Sequence, residues 1–365
     1  SLNTIYKKTR IKLIIILMLN VFMLFASSQK KQDKTPQINE QLNNLLSSIA
    51  LEKDSNQYYM KAANAILLGL ECEKQDAIHR AYIVQNKGRL VSLRTKLLSK
   101  LQDTALSFAT RKYITNVIIE SASSSLFKPN QDNLGAIFYN AASHFYSNKK
   151  YKDADFYVDK SLLFKDWAEK SAELKVLCMK EQIETPTDST VYLLALLNLH
   201  TTNPNNPLFF HLIIEYLSQP QYAAELEQFT SEEMLRDSKN VKVLLLWGEI
   251  MMSKKKWNEA IEAFTSAEKL GESSIHLLYN IGISYSSKAF EYRDNIKETS
   301  KRFTQEQQRQ IRDDLNIARK NLELVKEKDP EYKEVDWRNP LYVVLYALKD
   351  RAALKSLAKI MPIEK

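Results

Sequence analysis

Residues 241–272 read VKVLLLWGEIMMSKKKWNEAIEAFTSAEKLGE, in which two apolar-rich segments flank the lysine run 254–256. Apolar residues recur at three- and four-residue spacing in both segments, which predicts two amphipathic helices joined by a tight turn. Gly248 in the first segment and Ala260 in the second are small enough to let paired helices approach closely. The stretch therefore predicts an antiparallel helix hairpin.

The hairpin pattern recurs along the chain. Gly282 follows Gly248 by 34 residues, and the joint MSKKKWNEA at 252–260 returns upstream as YSNKKYKDA at 146–154. The two joints are 106 residues apart, which is three periods of 34 plus four. The loop ETPTD at 184–188 can hold the four extra residues. A fixed period of this length predicts tandem repeat units.

Gly248, Ala260, Phe264 and Ala267 stand where the tetratricopeptide repeat has Gly, Ala, an aromatic residue and Ala. On these residues the sequence resembles the tetratricopeptide repeat family. The resemblance implies an all-α fold, a right-handed superhelical solenoid of antiparallel helix hairpins, because one hairpin cannot bury its apolar face alone. The units are expected near residues 135–168, 169–206, 207–240, 241–274 and 275–332, with a terminal unit from 333.

The low content of turn-forming residues agrees with helices. The chain has 365 residues, of which 6 are Gly and 9 are Pro, fewer than evenly spaced strand turns would need. Apolar spacing also predicts helices through residues 41–130, where no 34-residue period is evident. We expect an N-terminal helical region there, and the repeats over residues 131–365.

The N-terminus has the pattern of an export signal. Four basic residues lie within residues 7–12, and the apolar run 13–25 that follows ends in small residues at 26–28. We expect residues 1–28 to be a signal peptide or, alternatively, an uncleaved membrane anchor, and residues 29–40 to be a flexible tether. The expected location is therefore the periplasm or cell envelope.

Loss of residues 1–28 removes four positive charges and lowers the formal net charge from +8 to +4. No segment concentrates Lys and Arg among aromatic residues, so the sequence gives no case for nucleic acid as a partner. Contact with a membrane is expected only through an uncleaved leader. Cys72 and Cys178 lack CxxC spacing and are expected to be buried free thiols, although a disulfide between them remains an alternative.

One unit is longer than the others. Gly248 and Ala260 are 12 residues apart, whereas Gly282 and Ala318 are separated by 36, so 24 residues are inserted. Thr304 and Gln307 have capping-box spacing, which predicts the start of a helix. We expect a hairpin, with its insertion at about 286–317, that projects roughly 18 Å beyond its neighbours. This unit and the ending NPLYVVLYALKD are similar to secreted repeat proteins of Bacteroidetes-like bacteria, which implies a cell-envelope setting.

Catalytic patterns are absent from the sequence. It contains no HExxH, GxSxG, GxxxxGK[ST] or GxGxxG motif, and the acidic pairs fall on predicted solvated helix faces. We therefore expect a protein that is not an enzyme and has no catalytic residues, no metal site and no cofactor. The histidines are scattered and are interpreted as structural: His79, His144, His200, His211 and His276.

The resemblance implies a binding groove lined by the first helix of each unit. The residues in register with groove-facing positions are Tyr139, Ser143, Tyr146, Lys242, Glu249, Met252, His276, Tyr279 and Ser286. Tyrosines could grip a peptide through ring area and a hydroxyl group. We expect a protein–protein interaction scaffold that binds a peptide or protein in this groove. The alternative is an assembly subunit that oligomerises or docks through the elongated hairpin.

Overall fold

The computed structural model describes residues 35–75, 77–127, 133–300 and 302–360. Every regular element in these ranges is a helix, and none of them is a strand. The all-α class and the hairpin architecture predicted from the sequence are thereby confirmed. The predicted leader, residues 1–28, lies outside the described residues.

Four helices form the N-terminal region. They are α1 (Thr35–Ile49), α2 (Ser55–Glu73), α3 (Ala77–Leu98) and α4 (Phe108–Ser121). Residues 35–40 were expected to belong to a flexible tether, but they form the first turns of α1, in which Leu42 and Leu46 are buried. Burial of these side chains stabilises the helix against the neighbouring core. Residues 29–34 lie outside the described part of the chain.

The remaining helices pair into six consecutive hairpins. They are α5 (Leu134–Ser147) with α6 (Tyr151–Ser161), α7 (Ala168–Glu181) with α8 (Pro186–Thr202), α9 (Pro207–Leu217) with α10 (Ala223–Arg236), α11 (Val241–Ser253) with α12 (Trp257–Lys269), α13 (Ile275–Thr299) with α14 (Gln305–Lys328), and α15 (Arg338–Ala347) with α16 (Arg351–Ala358). Single 3-10 turns lie at Ser125–Phe127, Lys165–Trp167 and Pro220–Tyr222. The hairpins follow the predicted unit boundaries closely.

The two joints that share a sequence motif also share a backbone. Lys149 has φ 58° and Lys255 has φ 57°. The N–H of Lys149 donates to the carbonyl of Tyr146 at 2.9 Å, and the N–H of Lys255 donates to the carbonyl of Met252 at 2.9 Å. Each joint therefore ends its first helix with one left-handed residue, a known helix terminator. The two copies of the motif, at 146–154 and 252–260, therefore have the same backbone conformation at the turn.

The repeat glycines lie opposite large side chains at equivalent positions. A Cβ atom on Gly248 would lie 2.4 Å from the ring of Phe264, and one on Gly282 would lie 2.8 Å from Cγ of Leu322. Phe264 follows Ala260 by four residues, as Leu322 follows Ala318. Each glycine thus makes room for a side chain of the second helix, which permits close approach of the pair.

The elongated hairpin has the predicted form. α13 and α14 contain 25 and 24 residues, whereas α11 and α12 contain 13 each. Thr304 and Gln307 make the predicted capping box at the start of α14. The two helices bury apolar side chains along the hairpin: Ile281, Ala289, Ile296, Leu315, Ala318, Leu322 and Val325.

The chain divides into two compact units at residue 209. In the first unit, one hydrophobic core joins the N-terminal helices to the first hairpins, from Leu42 to Cys178. In the second unit, α13 contributes to two clusters, through Leu277 to the cluster of α11 and α12 and through Leu278 to that of α14 to α16. No helix among the described residues combines the length and hydrophobicity of a membrane span.

Candidate functional site

Two of the three predicted groove residues on α5 pack against nearby rings. The rings of Tyr139 and Trp167 are 5.2 Å apart, and those of Tyr146 and Tyr151 are 5.6 Å apart. Burial raises the pKa of the Tyr146 phenol. Ser143 is half-buried, and its carbonyl accepts a hydrogen bond from the hydroxyl of Ser147. All three residues are half-buried, and the two tyrosine rings are held by aromatic neighbours.

The predicted residues on α11 differ in environment. Lys242 and Glu249 are exposed, whereas Met252 is half-buried and packs on the core cluster of its hairpin. Partial desolvation of its carboxyl group raises the pKa of Glu249, and the nearby His276 acts in the opposite direction. Glu249 and His276 stand on the first helices of successive hairpins.

The predicted residues on α13 include one that a ligand does not reach. Ser286 is buried, with 6% of its surface exposed, and its hydroxyl donates to the carbonyl of Ile283 at 3.1 Å. His276 is exposed, and its Nδ1 lies 3.7 Å from Oε2 of Glu334. Tyr279 is half-buried, and burial followed by the negative charge of Asp336 raises its pKa.

In the second unit, the predicted groove residues other than the buried Ser286 are exposed or half-buried; we call them the α11–α13 face and define it as Lys242, Glu249, Met252, His276 and Tyr279. Glu334 and Asp336 lie beside it and were missed by sequence reasoning, because they follow the elongated hairpin in the chain. The acid-rich segment 331–336 was the available signal. The side chains of this face can supply hydrogen bonds and charges of both signs.

A cleft of about 310 Å³ lies at the base of the elongated hairpin. The joint residues 255–259 form one side, and α13 beyond residue 287 together with Gln310 of α14 forms the other. The indole N–H of Trp257 donates to Oε2 of Glu291 at 2.5 Å across this cleft. No sequence argument located it, because it depends on how far α13 extends past the preceding joint.

No cluster of three or more His, Cys, Asp or Glu side chains in the described residues is placed to hold a metal ion. Cys72 and Cys178 are buried and unpaired, as the simpler expectation had it. Burial raises the pKa of the Cys72 thiol to about 11 and that of Cys178 to about 12, so both are held as thiols rather than nucleophilic thiolates.

No protein-family model matches the chain, and no curated protein does. Among solved structures, it is similar to a human IFIT1 dimer with m7Gppp-AAAA at 15% identity and TM-score 0.38, covering 92% of this chain and 75% of that one. It is also similar to the P58(IPK) TPR domain at 14% identity and TM-score 0.26, covering 92% of this chain and 98% of that one. Likeness at these scores is weak, and the fold assignment rests on the hairpins themselves.

Proposed function

We propose that this protein is a non-catalytic scaffold of the cell envelope that binds another protein or a peptide through the α11–α13 face. The observation that supports the proposal is that the first helices of successive hairpins pack together, since Leu277 and Ile281 of α13 join the cluster that holds Leu244 and Met251 of α11. A surface that continues from one repeat to the next suits an extended partner. The signal-peptide pattern of residues 1–28 supports the envelope setting.

The residues of this face support recognition rather than chemistry. Lys242 and His276 can donate hydrogen bonds, Glu249 and the neighbouring Glu334 can accept them, and Tyr279 offers ring area and a hydroxyl. These groups are mostly exposed, so they could contact a partner without rearrangement of the core. General acid–base catalysis would need a buried, mutually oriented pair, for which these exposed side chains are a poor match.

Site-specific photocrosslinking in envelope extracts tests the proposal. A benzophenone side chain at position 276 should give a discrete crosslinked product. The matched control is position 262 on α12, where Glu262 is also exposed. Glu249→Ala in the protein labelled at 276 should reduce the product severalfold. Equal amounts of product from positions 276 and 262, or no product from either, would exclude the α11–α13 face as the partner-binding site.

A second candidate function is assembly through the elongated hairpin. The observation in its favour is that α13 and α14 are nearly twice the length of α11 and α12. Light scattering on the full chain, and on a variant in which residues 295–310 are replaced by a short glycine–serine turn, separates the two candidates. An oligomer that dissociates in the variant would support assembly, and a monomer in both would exclude it.

A further inference from the structure

The hairpin α15–α16 differs in charge from the other hairpins. α16 carries Arg351 and Lys355 and no acidic residue, and Lys359, which caps it, keeps helical backbone angles. Residues four apart lie on one face of a helix, so these three cations form a single row, which we call the basic stripe. At least one Asp or Glu is present in each of the other second helices of the hairpins, α6, α8, α10, α12 and α14.

The cations of the basic stripe are not neutralised by neighbouring acids. All three are exposed, as is Lys349 of the joint, and none of these four side chains forms an ion pair with another described residue. Asp350 is the acidic residue within this hairpin, and its carboxylate lies 3.0 Å from Arg319 of α14, which also bonds Glu323. Arg319 thus leaves one carboxylate charge uncompensated, against four free cations.

The acidic residues of the loop before α15 are engaged elsewhere. Asp336 pairs with Arg338 at 2.8 Å, and Glu331 pairs with Lys333 at 2.6 Å. Glu334 lies beside His276 of α13. The buried carboxylate of the remaining acid accepts backbone N–H groups of residues 333–335. The negative charge of this loop is therefore paired within the loop or turned toward α13, whereas the positive charge lies on α16.

Exposed apolar side chains accompany these cations. Tyr346, in the last turn of α15, is 68% exposed, and its carbonyl accepts a hydrogen bond from the N–H of Lys349 at 3.1 Å. Val343 is 41% exposed one turn earlier, and Ile360, directly after the basic stripe, is 43% exposed. Tyrosine and aliphatic side chains beside Lys and Arg are typical of protein surfaces that lie in the headgroup region of a bilayer. A nucleic acid would use the cations and leave the aliphatic groups in water, so the combination favours a lipid surface.

We propose that the hairpin α15–α16 binds the surface of an anionic membrane, with the basic stripe on lipid phosphates and with Val343 and Tyr346 among the headgroups. This surface shares no residue with the α11–α13 face and does not depend on the function proposed for that face. Attraction between exposed cations and anionic lipids is screened by salt, so binding should weaken as ionic strength rises.

A fluorescent reporter on α16 of the full chain tests the proposal. Ala352→Cys, an exposed position, is labelled with an environment-sensitive dye, while the native thiols are protected by burial. Vesicles of phosphatidylglycerol and phosphatidylcholine in equal parts should shift the emission to shorter wavelength, and phosphatidylcholine alone should not. The matched control is Ala224→Cys, the exposed second residue of α10, where no shift is expected. This local signal separates contact by α16 from contact by the predicted leader.

Charge and apolar contact are then removed separately from the chain labelled at 352. Glutamine at all three positions of the basic stripe should abolish the shift at a lipid concentration that saturates the parent chain. Tyr346→Ser keeps every charge and should reduce the shift severalfold, whereas Leu235→Ser, at a side chain that is 87% exposed on α10, should not. The charge control removes three exposed lysines around another joint and should retain the shift: Lys149→Gln, Lys150→Gln and Lys152→Gln.

The outcomes separate a lipid-binding surface from a merely basic one. Loss in the stripe variant and in Tyr346→Ser, with the shift retained in both controls, supports the proposal. An equal shift at position 224, an equal shift with phosphatidylcholine alone, or no shift with either vesicle would overturn it. Equal loss in both lysine-depleted variants, or a shift with polyuridylate RNA and none with vesicles, would overturn it as well.

Discussion

The hairpin α11–α12 and the elongated hairpin α13–α14 pack their two helices together in the same way, although their helices differ in length. Both place a glycine of the first helix against a large side chain of the second, Gly248 against Phe264 and Gly282 against Leu322. The extra residues of α13 and α14 extend away from this contact without altering it. The difference teaches that the repeat is fixed by its central small–large pairing, whereas the helix ends are free to vary.

Removal of the large partner should have the largest effect. Phe264→Ala leaves a cavity opposite Gly248 and should lower the free energy of unfolding by about 4 kcal/mol, whereas Leu322→Ala should lower it by about 3 kcal/mol. Urea unfolding followed by circular dichroism measures both. Glu262→Ala, an exposed change on the same helix as Phe264, should stay within about 0.5 kcal/mol. If Phe264→Ala lowered the free energy of unfolding by less than about 1 kcal/mol, the pairing of Gly248 with Phe264 would not be what fixes the repeat.

Added methyl groups at the glycines should have the next largest effect. Gly248→Ala should destabilise by about 2 kcal/mol and Gly282→Ala by about 1 kcal/mol, because the phenyl ring yields less easily than the Leu322 side chain. Gly88→Ala on α3 is the matched control, since nothing lies within 4 Å of its added Cβ. That change should stabilise by about 0.5–1 kcal/mol through helix propensity alone. Stabilisation by all three substitutions would contradict close helix approach.

The hydrogen bond from Trp257 to Glu291, which joins α12 to α13, should contribute less to the free energy of unfolding. Trp257→Phe removes the indole N–H that bonds Glu291, and should lower the free energy of unfolding by about 1 kcal/mol. Glu291→Gln retains an acceptor for the indole and should cost less than Trp257→Phe. Differential scanning calorimetry compares the two. If Glu291→Gln were the more damaging of them, the carboxylate would have a role beyond accepting this bond.

The elongated hairpin should also show a small pH dependence. Burial raises the pKa of Asp314, against the opposing effect of Lys288, so the folded state takes up this proton at a higher pH than the unfolded state does. The resulting stabilisation is present in acid and is lost as the pH rises through the raised pKa. When the pH falls from about 7 to about 4, the parent chain should therefore gain stability relative to Asp314→Asn.

Denaturant midpoints across this range test the sign. Asp313→Asn, at the exposed neighbouring position, should change the pH dependence less. A gain of the Asp314→Asn variant over the parent chain on acidification would reverse the assignment.

The repeat could be predicted because its signals are local in sequence. The joints 146–154 and 252–260 carry their own turn chemistry, and the capping box at Thr304 and Gln307 marks the start of α14 within four residues. The terminal unit shows where this fails. Ala352 in the second helix of this unit is a small residue, as Ala260 is, but it is exposed, because the joint at Lys349 puts the start of α16 at Arg351.

The predicted groove depended on neighbours that the sequence does not identify. Tyr139 is engaged by Trp167 from a later 3-10 turn, and Ser286 is buried although its repeat position faces a groove. His276 has Glu334 beside it only because the loop after the long hairpin returns to α13. Repeat position fixes which way a residue points, but what covers it is set by tertiary contacts.

A double-mutant cycle on Gly248 and Phe264 tests the central pairing most directly. Gly248→Ala and Phe264→Leu are made singly and together, and their free energies of unfolding are compared. Because leucine faces the glycine in the long hairpin, the double variant should lose about 1 kcal/mol less than the sum of the two single losses. Additive losses, with no recovery in the double variant, would contradict the account.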